Sequence, residues 1–210
     1  MAYNFAAMKL RLGFLASHGG SNVQAILDAC REGRLDAEPC VVISNNSDAM
    51  VLDRAQAARV PAFHLSSHVH PDPTRLDEAI LATLEKYQVN LIVLAGYMKK
   101  LGPKTLARYR GRVLNIHPAL LPKYGGRGMY GDHVHEAVLA AGDKESGATV
   151  HIVDEEYDRG PIVAQRIVPV LPDDTPDSLA ARVLTVEHQL YAETLQRIAT
   201  GDIKLDELKG

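Results

Sequence analysis

Between Asn90 and Ala95 the chain reads Asn-Leu-Ile-Val-Leu-Ala, a continuous apolar run of strand length. Such a run is expected where both faces of a sheet are covered, as in parallel sheets whose strands are joined by helices. The surrounding sequence repeats the pattern. Lys9–Ala16 is apolar and ends in a Gly/Ser-rich turn, Ser17–Ser21, after which Val23, Ile26 and Leu27 predict a helix from about Asn22 to Glu32. A short strand at Pro39–Ser44 is stopped by Asn45-Asn46-Ser47. A helix from about Met50 to Arg59 and a short strand near Ala62–Leu65 follow. Leu76–Tyr87 is helical, with Leu76, Ile80, Leu81 and Leu84 on one face. Strand, helix and strand in regular order imply right-handed crossovers and a parallel sheet with helices on both faces. In such a sheet ligands bind at the carboxyl ends of the strands, near the point where strand order reverses. The loops after Ala16, Ala95 and Val113–Ile116 are therefore where chemistry is expected.

After residue 120 the texture changes. A Gly-rich loop, Lys123–Gly131, leads to a helix around Val134–Ala141 and then to two β-rich runs, Ala148–Val153 and Pro161–Val170. These suit an antiparallel extension of the sheet, closed by a helix at about Pro176–Ala199. The fold expected is a single Rossmann-like α/β domain over 1–210, mostly parallel, with an antiparallel C-terminal extension and with residues 1–8 as a flexible N-terminal extension.

Composition narrows the function. A net charge of −3 with scattered Lys and Arg gives no reason to expect nucleic acid as a partner. Lys99-Lys100, the densest short basic run, is expected on a solvated helix surface. No apolar run approaches the roughly 18–20 residues that cross a bilayer. The N-terminus does not read as a secretory signal, so a cytoplasmic protein without membrane partners is expected. Cys30 and Cys40 are expected as small core residues, not as a disulfide framework.

Three segments carry chemistry. In Ser17-His18-Gly19-Gly20-Ser21-Asn22, a strand-to-helix turn presents backbone N–H groups and the positive end of a helix dipole, a ready anion site. It is neither the dinucleotide G-x-G-x-x-G fingerprint nor a P-loop. In Val113–Pro118, strand alternation puts Asn115 and His117 on one face, and Pro118 ends the strand. An amide donor beside an imidazole suits acyl transfer, one to hold a developing oxyanion and one to move a proton. The third segment, Asp154–Gly160, is an acidic loop between strands. A carboxylate reaching back from it would orient the imidazole of His117, much as an Asp does in a triad.

The runs Asn-Ile-His-Pro-Ala-Leu-Leu-Pro at 115–122 and His-Ile-Val-Asp-Glu-Glu-Tyr-Asp-Arg-Gly-Pro at 151–161 closely resemble those of the formyltetrahydrofolate-dependent formyltransferase family. Ser17–Asn22, Leu94–Met98 and Val183–His188 are similar to the branch of that family whose acceptor is glycinamide ribonucleotide. The resemblance covers about residues 9–200. It implies a transferase of purine biosynthesis that moves the formyl group of 10-formyltetrahydrofolate, its cosubstrate, to the amino group of the ribonucleotide. It also implies roles. Asn115, His117 and Asp158 would be catalytic; Gly20, Ser21, Asn22 and Glu187 would hold the ribonucleotide. Met98, Leu101, Arg75, Asp154, Glu155 and Tyr157 would line the folate pocket, and His151 would support the structure. Only small-molecule partners and a monomer or homodimer are expected. No metal is expected either, since His133 and His135 lack a third ligand at suitable spacing. The chain departs from the family pattern at 125–132, a Gly-rich loop longer by about five residues that could act as a lid or alter access, and at Arg75, whose segment aligns ambiguously. Other formyl acceptors (a sugar nucleotide or a tRNA) and a non-catalytic nucleotide-binding module are the competing readings.

Overall fold

The computed structural model describes residues 8–156 and 158–208; the N-terminal extension expected at 1–8 therefore lies, but for Met8, outside the described residues, as does Tyr157. Seven strands form one sheet: β1 (Leu10–Ala16), β2 (Ala37–Ser44), β3 (Ala62–His64), β4 (Leu91–Leu94), β5 (Val113–His117), β6 (Glu145–Ile152) and β7 (Ile162–Pro169). Their spatial order is β3-β2-β1-β4-β5-β6-β7. The first five are parallel, while β5–β6 and β6–β7 pair antiparallel. The chain thus builds outward from β1 in one direction to β3, then starts again at β4 on the other side of β1. That reversal opens a crevice at the carboxyl ends of β1 and β4.

The pleat sorts the apolar side chains. Leu10, Leu12, Phe14 and Ala16 of β1 face one core, with α1 (Ser21–Arg31), α2 (Met50–Ala57), α5 (Asp132–Ala140) and α6 (Pro176–Ala199). Leu15 faces the other, with Ile80 and Leu84 of α3 (Pro73–Lys86) and with Tyr109, which follows α4 (Pro103–Arg108). This is the doubly covered sheet that the apolar strands predict. The buried hydroxyl of Tyr191 on α6 lies 3.0 Å from the carbonyl oxygens of both Leu94 and Leu114, so the long helix is tied across β4 and β5.

Several local expectations are corrected. Helix α3 begins at Pro73, not Leu76, because the Asp72 side chain accepts the N–H groups of Thr74 and Arg75 and Pro73 fits the first turn. Helix α4 is a new element. Its cap is remote: the buried carboxylate of Asp77 on α3 accepts N–H groups of Lys104 at 2.7 Å and Thr105 at 3.1 Å. Strand β6 begins at Glu145, where Glu145 and Ser146 pair with Pro169 and Val168. Lys99 and Lys100 lie in the loop between β4 and α4, not on a helix. Cys40 is buried, but Cys30 is only half-buried, since it stands at the edge of the α1 packing face. Burial pushes both thiols up to about 11, with Lys9 acting against it at Cys30 and Arg11 at Cys40.

Candidate active site

The carboxyl edge of the sheet is laced together before any ligand is considered. Ser17, just after β1, donates its hydroxyl to Asn45 and accepts the N–H of Met98 at 2.7 Å. Asn46 donates to the Ser17 carbonyl at 2.6 Å. The ends of β1 and β2 and the loop after β4 are thereby held as one rim. Leu94, Lys99, Leu101, Asn115, His151, Asp154 and Asp158 line a cleft next to it.

Asn115 and His117 lie on the same side of β5, opposite the side of Leu114 and Ile116, as alternation predicts. The β5–β6 register sets Asn115 directly opposite His151. The two side chains meet with Asn115 Nδ2 at 3.2 Å from His151 Nε2, while His151 Nδ1 lies 3.1 Å from the carbonyl of Ile152. A carbonyl only accepts, so Nδ1 carries the proton and Nε2 accepts from the amide. Burial holds the His151 pKa below its ordinary value, against its backbone hydrogen bond and the pull of Asp158, which keeps this acceptor neutral. One amide N–H of Asn115 is thereby fixed and the other is left for the cleft.

Asp158 arrives from the acidic loop. It sits at φ 55°, in the left-handed region, which turns its carboxylate back onto the sheet. Oδ2 lies 3.8 Å from His117 Nδ1, and Oδ1 lies 3.5 Å from His151 Nε2. The return of the loop depends on Gly160, where a Cβ would collide with the carbonyl oxygen of Ile152. The Gly-rich loop reaches the same carboxylate: Gly126 donates its N–H to Asp158 Oδ2 at 2.9 Å. Asn115, His117 and Asp158 are thus brought together, and His151 joins them.

A second polar group lies across β1, where α1 packs on α6. Gly20, at φ 68°, stands at the cap position before α1 and offers no side chain, so the first-turn N–H groups of the helix are unclaimed by a capping side chain. A side chain at Gly20 would also strike Val51 of α2. Asn22 donates to Glu187 at 2.7 Å, and both are buried. Burial pushes the Glu187 carboxyl up to about 7, with the bond from Asn22 working against it. The amide oxygen of Asn22 is buried without a hydrogen-bond partner among the described residues.

The residues expected at a folate pocket are less uniformly placed. Leu101 is buried in the cleft wall, and Met98 is half-exposed on the rim. Asp154 accepts the N–H of Glu156 at 2.8 Å, and the Glu155 carbonyl accepts Lys100 Nζ at 2.6 Å, so the loop is anchored across the cleft. Tyr157 is outside the described residues. Arg75 is exposed in the first turn of α3, faces Glu78 at 3.7 Å, and is not brought to the cleft. Sequence reasoning missed Lys100 as a cleft residue and the hydrogen bond between His151 and Asn115. Only the β5–β6 register could have signalled the latter. Among the described residues no cluster of three or more His, Cys, Asp or Glu is placed to hold a metal ion, and no helix is long and apolar enough to cross a membrane.

The chain resembles known proteins in sequence and fold. Residues 10–195 match the family described as formyl transferase. Phosphoribosylglycinamide formyltransferase of Haemophilus influenzae is 41% identical over 197 residues, covering 94% of this chain and 91% of that protein. The chloroplastic enzyme of Vigna unguiculata is 41% identical over 90% of this chain, which spans 60% of that longer protein. Among solved structures, glycinamide ribonucleotide transformylase 1 of Symbiobacterium toebii superposes with a TM-score of 0.87 at 42% identity, covering 93% of this chain and 90% of that one. With the strand order, the 115–122 and 151–161 segments and this match in agreement, the chain belongs to the formyl transferase family.

Proposed function

We propose that the chain transfers the formyl group of 10-formyltetrahydrofolate to the amino group of glycinamide ribonucleotide, a step of purine biosynthesis. The observation that carries this reading is the meeting of Asn115, His117 and Asp158 at the strand ends, beside an uncapped helix N-terminus and a buried acid. In this reading the folate enters the cleft between Met98, Leu101 and the Asp154–Asp158 loop, with Tyr157 of that loop as a further proposed contact. The ribonucleotide phosphate is held by Gly20, Ser21 and the α1 N-terminus, and its glycinamide arm by Asn22 and Glu187.

The amine nitrogen attacks the formyl carbon, and the carbonyl π electrons move to oxygen. The free N–H of Asn115 and the imidazolium of His117 stabilise that oxyanion. Collapse breaks the bond between the formyl carbon and N10 of the folate. The proton lost by the attacking amine ends on N10, with Asp158 beside His117 serving as relay through water. The products are N-formylglycinamide ribonucleotide and tetrahydrofolate. The same reading puts the reaction in the cytoplasm, among small molecules, in a monomer or homodimer.

The test is formyl transfer from 10-formyltetrahydrofolate to glycinamide ribonucleotide, in wild type and in folded His117→Ala and Asp158→Asn. Rapid wild-type turnover with losses of roughly 10² or more in each variant is expected. A wild type that binds folate and leaves the ribonucleotide untouched overturns the acceptor.

A further inference from the structure

The two ring nitrogens of His117 face different partners. Nε2 lies 2.8 Å from the main-chain carbonyl of Tyr124. Since that oxygen has no proton to give, Nε2 carries one. Nδ1 therefore bears the lone pair of the neutral ring, and it is the nitrogen facing Asp158 at 3.8 Å. The choice of tautomer falls to a main-chain atom outside the cleft. That atom is held by an unusual residue. Tyr124 has φ 58°, a left-handed conformation that residues with a Cβ seldom adopt. Nothing in Lys123-Tyr124-Gly125 favours tyrosine over glycine there, so the conformation is imposed by contacts.

The contacts converge on Asp143. The Tyr124 hydroxyl donates to Asp143 Oδ2 at 2.7 Å, and Lys123 Nζ donates to both carboxylate oxygens at 2.8 and 2.6 Å. Asp143 stands in the turn between α5 and β6, its own N–H bonded back to the Val138 carbonyl of α5. The clasp therefore ties the first two residues of the Gly-rich loop to the end of α5. The Tyr124 ring also packs on the core shared by β5 and β6. His117 is held between two left-handed residues, Tyr124 on its Nε2 side and Asp158, at φ 55°, on its Nδ1 side. Backbone positions held against preference cluster where geometry is used.

We infer that Tyr124 and Asp143 are positioning residues that fix the Nε2–H tautomer of neutral His117, so that Nδ1 is the nitrogen that takes up the proton and, in the imidazolium, presents it to the reaction. Neither lines the cleft, and both act through His117, so this inference rests on the proposed role of that imidazole.

The experiment is long-range ¹H–¹⁵N correlation of the imidazole nitrogens in labelled wild type, Tyr124→Phe and Asp143→Asn, with His117 assigned by loss of its signals in His117→Asn. It is paired with kcat and KM for each substrate. In wild type with a neutral ring, Nε2 resonates as protonated and Nδ1 as unprotonated. Both variants shift His117 towards a mixture of tautomers and lower kcat about tenfold while KM stays within about twofold, as expected when a reacting group is misplaced and binding is not. Asp143→Glu, which keeps a carboxylate for the tyrosine, recovers part of the lost kcat. Tyr124→Phe removes a single oxygen, so it serves even where Asp143→Asn fails to fold. Unchanged His117 signals in Tyr124→Phe overturn the inference, as does a variant that melts earlier at unaltered kcat. If the tautomer responds as stated but wild type transfers no formyl group to the ribonucleotide, the proposed function fails and the clasp stands.

Discussion

At one end of the cleft Asn115, His151 and Asp158 hold one another, while His117 leans on Tyr124. Where α1 packs on α6, Asn22 and Glu187 share a single hydrogen bond and leave an amide oxygen buried with no partner among the described residues. The two clusters lie on the same sheet edge and use similar residue types, yet they treat buried polarity in opposite ways. In the first, each side chain is fixed by at least one internal contact, which sets geometry ahead of any substrate and leaves one Asn115 N–H and His117 Nδ1 facing outward. In the second, an acid whose pKa burial has raised to about 7 and an orphaned carbonyl are incomplete without a ligand. A group left unsatisfied in the free protein costs stability that a bound partner can return. The first arrangement suits a place where bonds change; the second suits a place where a substrate is gripped.

The contrast is most exposed to failure at Asn115. Asn115→Ala is expected to cut kcat by roughly 10²–10³, as removal of an oxyanion donor does. Its KM values should stay near wild type in steady-state assays. A raised KM with kcat intact would mean that Asn115 grips substrate, and the distinction between the ends would collapse.

Glu187→Gln tests the other end through stability. The folded carboxyl titrates near 7 and the unfolded one near 4.5, so between these values the folded state holds the extra proton. Stability from this group is fully present below 4.5, falls as pH rises and is lost above 7. The glutamine variant should therefore unfold at higher urea than wild type at pH 8, by about 3 kcal/mol at most, and no differently at pH 4. It should also bind the ribonucleotide more weakly. Equal stability at pH 8 would show that the carboxyl is not forced to ionise in a closed site.

Asn22→Ala sharpens the comparison from the ligand's side. KM for the ribonucleotide should rise about tenfold with kcat little changed, the signature of lost uniform binding. A fall in kcat at constant KM would put Asn22 with the reacting group instead.

The smallest effect lies at low pH. Burial lowers the pKa of His151, His135 and His188, so their unfolded forms take up protons first as pH falls below 6.5. Their contribution to stability is present above 6.5 and declines on acidification. Glu187 acts with the opposite sign between 4.5 and 7. The decline should thus be clearest in Glu187→Gln, followed by thermal melting from pH 7 to 5. A flat profile in that variant would mean these imidazoles are not held neutral by the fold.

How much of this could be read beforehand follows from the range of each interaction. The apolar strands were readable because a covered sheet writes itself into each strand separately, and Asn115 and His117 were readable because alternation is local. Helix α4 was not, since its cap, Asp77, lies 27 residues before Lys104. The first residues of β6 read as polar turn, and only pairing with β7 makes them strand. The approach of Asp158 was expected in kind, but its geometry depends on a left-handed residue and on the Gly160 contact with Ile152, neither of which has a periodic signature. His151 was read as support, and its bond to Asn115 needed the register of two strands separated by the whole Gly-rich segment.

The pairing of His117 with Thr149 closes residues 118–148 into a loop whose ends are fixed by the ladder. Within it α5 and the start of β6 are regular, and residues 118–131 are the longest irregular stretch. For a flexible stretch closing entropy grows only with the logarithm of length, so about five extra residues there cost roughly 0.4 kcal/mol. Chain entropy thus sets little limit on the length of the glycine-rich stretch; the limit comes from the two points where it is tied down, Gly126 on Asp158 and Tyr124 on Asp143.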